Sequence, residues 1–242
     1  MFARRKNRQL LFDDHDDYYE ETELQKIKDP LVSDIFNPKT KAQCDYYDMV
    51  RDDNIRLVIT SGPAGTGKTL FPTQHAAKVL MDPGMKVIVT RPLICVDEEL
   101  GYLPGGINQK MDPWTIPIFD VLREFFTQNM IDKFIAEKRL EVVPLAFMRG
   151  RTFKNAFIIG DELQNTSINQ MLMLLTRIGE NSKMVITGDV NQCDHTENGM
   201  LDLMHRLETF RGSDQIGMVE MTAADVQRSE LVELVLEIYG KG

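Results

Sequence analysis

Two groups of residues in this chain have the types and spacing for phosphate chemistry. The first is the octapeptide Gly62-Pro63-Ala64-Gly65-Thr66-Gly67-Lys68-Thr69. It places four residues between a glycine and a Gly-Lys-Thr triplet, the pattern of a phosphate-binding loop. Its glycines let the backbone curl so that successive N–H groups point at an anion. A helix that begins at such a loop adds free N–H groups and a favourable dipole. In that setting Lys68 reaches the β- and γ-phosphates of ATP and the Thr69 hydroxyl binds Mg²⁺.

The second group is Asp161-Glu162, at the end of the apolar run Phe157-Ile158-Ile159-Gly160. An acid at such a strand end holds Mg²⁺ in nucleotide hydrolases with this loop, which assigns Asp161. The neighbouring Glu162 suits a general base for the attacking water. A third strand end, Ile186-Thr187-Gly188-Asp189-Val190-Asn191-Gln192, offers Gln192 as a hydrogen-bonding sensor of the γ-phosphate. Spacing alone reads this segment equally well as an ordinary Gly-Asp turn.

These residues must be held by strands and helices that alternate. Thr40 and Gln43 form a capping box for a helix to about Arg51. A strand over Ile55–Thr60 leads into the loop, and a helix follows from Lys68 to about Met81, with Pro72 tolerated near its first turn. Further strands are predicted at 86–90, 140–143, 156–160, 183–187 and 215–221. Asp112-Pro113 reads as N-cap and first helical residue of a helix to about Thr127. Other helices are expected near 130–137, 168–178 (capped by Ser167 and Gln170), 199–209 and 228–239. Residues 93–112 carry Gly101, Pro104, Gly105 and Gly106 and read as a long loop or insertion. The fold class is α/β, with a mostly parallel sheet covered by helices on both faces. Residues 1–37 form a polar, charge-blocked and flexible tail, and 38–242 a single folded domain.

Bulk composition narrows the function classes. The chain has 242 residues, 43% hydrophobic and 27% charged, typical of a globular protein. Its apolar runs are too short to cross a bilayer, and the basic N-terminus has no apolar segment of the secretory kind. Cys44, Cys95 and Cys193 are scattered and odd in number, which fits free thiols in a reducing cytoplasm. The net charge of −9 argues against a broadly basic nucleic-acid coat. Part of that charge sits in the acidic run Asp13–Glu23. The four histidines form no triad or metal pattern.

The order of the motifs resembles that of PhoH-like ATPases. It runs from the loop Gly62–Thr69 through Thr90-Arg91-Pro92, Leu100–Gly105, Pro144–Thr152, Asp161–Asn165, Leu175–Gly179 and Gly188–Gln192 to Asp225–Arg228. The match covers about residues 38–240. The chain departs from the family pattern at Leu70-Phe71-Pro72, at Cys95 and Asp97, and at Ser229-Glu230. The family is similar to superfamily 1 helicases, is carried by bacteria and their phages, and has a single RecA-like P-loop core.

The resemblance implies roles residue by residue. Lys68 and Thr69 take the Walker A roles, Asp161 the Mg²⁺ role, Glu162 the base and Gln192 the γ-phosphate sensor. Gln43 stands where related helicases contact adenine, a role compatible with its place in the capping box. Arg228 resembles an arginine finger, with Arg177 a second candidate. Arg91, Arg149 and Arg151 match positions near a nucleic-acid backbone. Superfamily 1 helicases close their ATP site between two such domains, and this chain has residues for one. The finger is therefore expected from a neighbouring subunit of a closed homo-oligomer, a hexamer by resemblance. Two outputs remain in view. One is an ATPase motor acting on single-stranded RNA or DNA, and the other a nucleotide-gated regulator of assembly.

Overall fold

Six short runs rich in Val, Ile and Met pair side by side into one sheet. The computed structural model describes residues 34–92, 107–193, 198–210 and 213–227, with the isolated helical positions 231, 235 and 238; for 107–114 the backbone alone is described. The strands are β1 (Leu57–Ser61), β2 (Lys86–Thr90), β3 (Leu140–Val142), β4 (Ala156–Gly160), β5 (Lys183–Gly188) and β6 (Ile216–Glu220). Their order across the sheet is β3-β2-β4-β5-β1-β6, and every pairing is parallel. Side chains of β1, β4 and β5 are buried along their whole length. That is the expected state of central parallel strands covered on both faces. The result is an α/β fold of the RecA-like P-loop kind.

Helix α1 (Lys41–Arg51) opens with the expected capping box, in which Thr40 and Gln43 each bond the other's backbone. It buries Gln43, Tyr46, Tyr47 and Val50, one helical stripe, and packs on β1 and β6. Its C-terminal end is closed by Lys183, whose ammonium donates to the carbonyls of Met49 (2.7 Å) and Asp52 (2.8 Å). Helix α2 (Leu70–Val79) follows the loop and packs on β2 and β4. It starts two residues later than expected. Pro72 falls in its first turn, where a missing N–H costs no helical bond. His75 of α2 lies 5.0 Å, centroid to centroid, from the Phe157 ring of β4.

Helix α3 (Ile107–Arg123) corrects the sequence expectation, because it begins six residues before the anticipated Pro113. The apolar repeat Ile107, Met111, Trp114, Ile118, Leu122 continues through the proline and holds the helical period upstream. Pro113 and Pro117 lie four residues apart, so both breaks in the hydrogen-bond ladder fall on one side. Pro117 is exposed while Ile118 and Leu122 are buried at 3% and 1%. Burial of Ile118 and Leu122 thus helps to offset a local cost of roughly 3 kcal/mol per interior proline. Helix α4 (Gln128–Ala136) buries Ile131 and Phe134.

The other face of the sheet carries α5 (Ile168–Leu175) and α6 (Gly199–Thr209), which pack on each other. Ser167 and Gln170 cap α5 as expected. Leu57, Ile59, Ile88, Ile158, Met184 and Ile186 form one core with Met171, Leu174, Met200 and Met204 of these helices. Strands alternate sides, so the intervening residues face α1 and α2. The expected helix over 228–239 lies outside the described residues apart from positions 231, 235 and 238. No described helix is long and apolar enough to cross a membrane.

Candidate functional site

The loop between β1 and α2 is a closed bend braced from two sides. Gly67 has φ +88°, and a Cβ there would meet the Phe71 ring at 2.7 Å. A Cβ on Gly62 would strike the Met221 carbonyl at 2.6 Å. Neither position takes a larger residue without moving backbone or core. Inside the bend, Thr66 Oγ1 donates to the Pro63 carbonyl at 2.9 Å. Lys68 donates to the carbonyls of Gly62 and Pro63, the latter at 2.7 Å. The Lys68 side chain is buried, and burial lowers its pKa while Glu162, Asp189 and Asp161 oppose that shift. The buried Lys68 ammonium rests on two loop carbonyls whose place a bound polyanion would take.

Helix α1 supplies one brace. The Gln43 amide donates to the carbonyls of Thr66 (3.2 Å) and Asp225 (3.0 Å) and accepts from the N–H groups of Lys39 (2.8 Å) and Thr40 (3.3 Å). One turn on, the Tyr46 hydroxyl donates to the Lys68 carbonyl at 2.7 Å. Burial and Asp161 hold that phenol in its neutral form. The segment after β6 supplies the other brace. Gln227 N–H donates to the Gly65 carbonyl at 2.9 Å, and Asp225 accepts from Thr40 and Thr222. These bonds hold the Asp225 carboxyl below its ordinary pKa, the Thr222 backbone first.

Across the sheet, Asp161 follows β4 and is 5% exposed. Its Oδ1 accepts from Thr69 Oγ1 and from Thr187 Oγ1, both at 2.7 Å. Its Oδ2 lies 3.8 Å from the Arg91 guanidinium. No group of three or more His, Cys, Asp or Glu among the described residues would hold a metal alone. A hydroxyl and a carboxylate in contact are hard oxygen donors that suit Mg²⁺, which characteristically completes its shell with water and substrate phosphates. Thr69 and Asp161 therefore fit that ion.

Glu162 adopts the left-handed conformation, φ 55° and ψ 46°. That costs a non-glycine residue roughly 1 kcal/mol or more. Its Oε2 accepts from Gln164 Nε2 at 2.7 Å. Gln164 is itself buried, and its Oε1 accepts from the Asp189 N–H at 3.3 Å. One buried amide thus spans Glu162 and the end of β5. From that strand end, the Gly188 carbonyl accepts from the Gly62 N–H at 3.2 Å, tying β5 to the loop.

The remaining predicted residues are more dispersed. Gln192 is exposed and donates to Asp189 Oδ2 at 2.8 Å; Asp189, not Gln192, is the buried polar residue of this turn. Arg177 donates to the carbonyls of Met173 and Arg151, each at 3.0 Å, and to Thr176 Oγ1 at 2.9 Å. Its own carbonyl accepts from Phe153 N–H, ahead of β4, so it lies at the end of the sheet opposite Asp161. Arg151 is bound to Glu141 at 2.7 Å and stacks 4.5 Å from the Phe153 ring centroid. Arg149 is exposed after a short 3₁₀ turn. Arg228 lies outside the described residues.

Sequence reasoning missed Tyr46, Gln164, Thr187 and Asp189. Tyr46 stands three residues after Gln43 and so shares its helix face. Thr187 is a polar residue that follows the apolar buried run Met184–Ile186 in β5. These were the available signals.

Comparisons with known proteins agree with this geometry. A family model described as PhoH-like protein matches residues 35–240. A PhoH-like protein of Mycobacterium bovis is 40% identical over 205 residues, covering 84% of this chain and 58% of the relative. A PhoH-like protein of Bacillus subtilis strain 168 is 37% identical over 226 residues, covering 93% and 70%. Protein PhoH of Escherichia coli K12 is 36% identical over 204 residues, covering 83% and 57%. The chain thus spans less than two thirds of the length of the first and third of these bacterial relatives. With most of its length matched and its phosphate loop intact, the chain belongs to the PhoH-like protein family, a nucleotide-binding lineage of the P-loop NTPase kind.

Proposed function

We propose that this chain is a Mg²⁺-dependent ATP hydrolase whose catalytic groups meet at the C-terminal ends of β1, β4 and β5. The observation that carries this reading is the 2.7 Å contact between Thr69 and Asp161, beside the buried Lys68. In it, Lys68 leaves the Gly62 and Pro63 carbonyls for the β- and γ-phosphates. Thr69 and Asp161 hold the Mg²⁺, which neutralises charge on the phosphates when bound. Glu162 accepts a proton from the water that attacks the γ-phosphorus in line with the leaving oxygen of ADP. The products are ADP and inorganic phosphate. Gln192 and Asp189 respond to the γ-phosphate through the β5 turn, and Arg228 or Arg177 offsets transition-state charge.

We assign the folded domain to about residues 35–242, slightly ahead of the expected boundary at 38, because Phe36 exchanges two hydrogen bonds with the buried Gln74. We assign the active form to a homo-oligomeric ring, a hexamer by resemblance, that acts on single-stranded RNA or DNA. Leu231, Val235 and Ile238 support assembly, because they recur at helical spacing and are 68%, 42% and 73% exposed. Arg177 would serve such a ring only in a neighbour's site, given its place at the far end of the sheet.

The test is ATP turnover by wild type and Glu162→Gln, with and without single-stranded RNA and DNA, over a range of protein concentrations. Stimulation by nucleic acid and a specific activity that falls on dilution support the motor reading. Turnover without stimulation, coupled to ATP-dependent assembly, would instead favour a nucleotide-gated regulator. No turnover at any concentration would sink the hydrolase assignment.

A further inference from the structure

Beside the phosphate loop lies a cavity of about 590 Å³. Gly65, Gly67, Leu70 and Phe71 form its loop side, and Ile35, Phe36 and Gln43 its other wall. It opens directly from the loop that would hold the phosphates, and it has room for a nucleoside. Gln43 is the buried residue of that lining whose amide could read a base edge, and that amide is already saturated. It is 2% exposed, and its two donor and two acceptor positions go to Thr66, Asp225, Lys39 and Thr40. An amide has no more than these to give.

The neighbouring backbone is committed too. Phe36 N–H donates to Gln74 Oε1 at 2.7 Å, and the Phe36 carbonyl accepts from Gln74 Nε2 at 2.9 Å. Gln74 is fully buried, so this pairing is fixed from the core. Ile35, by contrast, is 39% exposed, an apolar side chain presented to solvent near the loop. The other polar side chains on the cavity, Asn37, Lys39 and Gln227, are exposed, where water competes for their hydrogen bonds.

We infer that the cavity takes the nucleobase through apolar contact with Ile35, Phe36 and Leu70, and that Gln43 is a strut for the loop, not a reader of adenine. The substrate class is then nucleoside triphosphates generally, purine or pyrimidine, with ATP one member. This deepens the hydrolase reading and rests on it for the placement of the phosphates. A site that recognises a base edge with buried, dedicated hydrogen bonds rejects the wrong base by 10⁴-fold or so. An apolar pocket distinguishes shapes by roughly 10- to 200-fold at most.

The test is displacement of a ribose-labelled ADP from the full chain by ADP, GDP, CDP and UDP with Mg²⁺, in wild type and Gln43→Glu. The expected wild-type dissociation constants lie within about tenfold of one another. Gln43→Glu, which cannot donate to Thr66 and Asp225, shifts all four by a common factor. A wild-type preference for ADP beyond about a hundredfold overturns the inference, and this arm needs no variant to fold. A base preference of any size that Gln43→Glu erases overturns it as well. If all four diphosphates bind alike but ATP is not turned over, the hydrolase reading and the substrate class fail while the assignment of the cavity to the nucleobase stands. If no nucleotide binds, both fall.

Discussion

Gln164 holds Glu162 from behind. Its amide donates to the Glu162 carboxylate at 2.7 Å while its carbonyl accepts from the Asp189 backbone at 3.3 Å. The Glu162 side chain is therefore aimed by a residue anchored on the neighbouring strand end. Gln164→Ala should lower kcat about tenfold with little change in KM, because the proposed binding groups stay in place while Glu162, the proposed base, loses its orientation. Gln164→Glu sets a second carboxylate against Glu162 and should move the acidic limb of the pH–rate profile upward. A parallel fall in stability and nucleotide affinity, with no change in that limb, would make Gln164 a packing residue alone.

Glu162→Gln keeps the shape of the side chain and removes the carboxylate proposed as the base. Turnover should fall by roughly 10²- to 10⁴-fold while nucleotide affinity stays within a few-fold. Equilibrium binding and single-turnover hydrolysis on the same preparation give both quantities. Loss of binding in step with turnover would contradict a catalytic assignment.

Thr187→Val removes one of two hydroxyls that share Asp161 Oδ1. A hydrogen bond to a buried carboxylate contributes about 1.5–3 kcal/mol. We expect a stability loss of about that size in denaturant melts and a higher Mg²⁺ concentration for half-maximal activity. An unchanged melt would show that the hydroxyl is dispensable to the carboxylate.

Lys183 gives the fold an alkaline signature. Burial lowers its pKa from 10.5 to about 8, against the pull of Asp53 and Asp52. Between those two values the unfolded chain keeps a proton that the folded chain has shed, so raising the pH favours the folded state. This contribution should increase stability from about pH 8 to 10.5 and be flat below. The neutral amine still donates to the Met49 and Asp52 carbonyls. Lys183→Met should abolish that rise in pH-resolved melts and lower stability at the end of α1.

Arg149 and Arg151 separate contact with nucleic acid from architecture. Arg149→Ala should reduce the magnitude of the salt slope of single-strand binding by about one unit if it neutralises a phosphate. Arg151→Ala, which breaks the Glu141 pair and the Phe153 stack, should act on melting and leave that slope alone.

The sheet and its loop were legible because their signals are local. Buried runs such as Phe157–Ile159 and the glycine spacing of 62–69 need no knowledge of neighbours. The start of α3 was misplaced because proline is a strong local signal and the upstream apolar repeat a weak, distributed one. The partners of Thr187 and Gln164 were not legible, since they come from the packing of strand ends: β5 lies beside β4, and that adjacency puts Thr187 against Asp161. Gln43 was legible twice over, as a cap and as a base reader. The structure spends its whole amide on backbone groups, which only coordinates reveal.

The strand order has a metric consequence. β5 lies between β1, which carries the phosphate loop, and β4, which carries the acids. Parallel neighbours stand about 4.8 Å apart, so the two chemical halves are separated by roughly 10 Å of backbone. That spacing is ruled by main-chain hydrogen bonds and is the same for any side chains the strands bear. The gauge of the site is thus a property of the sheet itself: substitutions can change what faces the gap, but only a change of strand order can change its width.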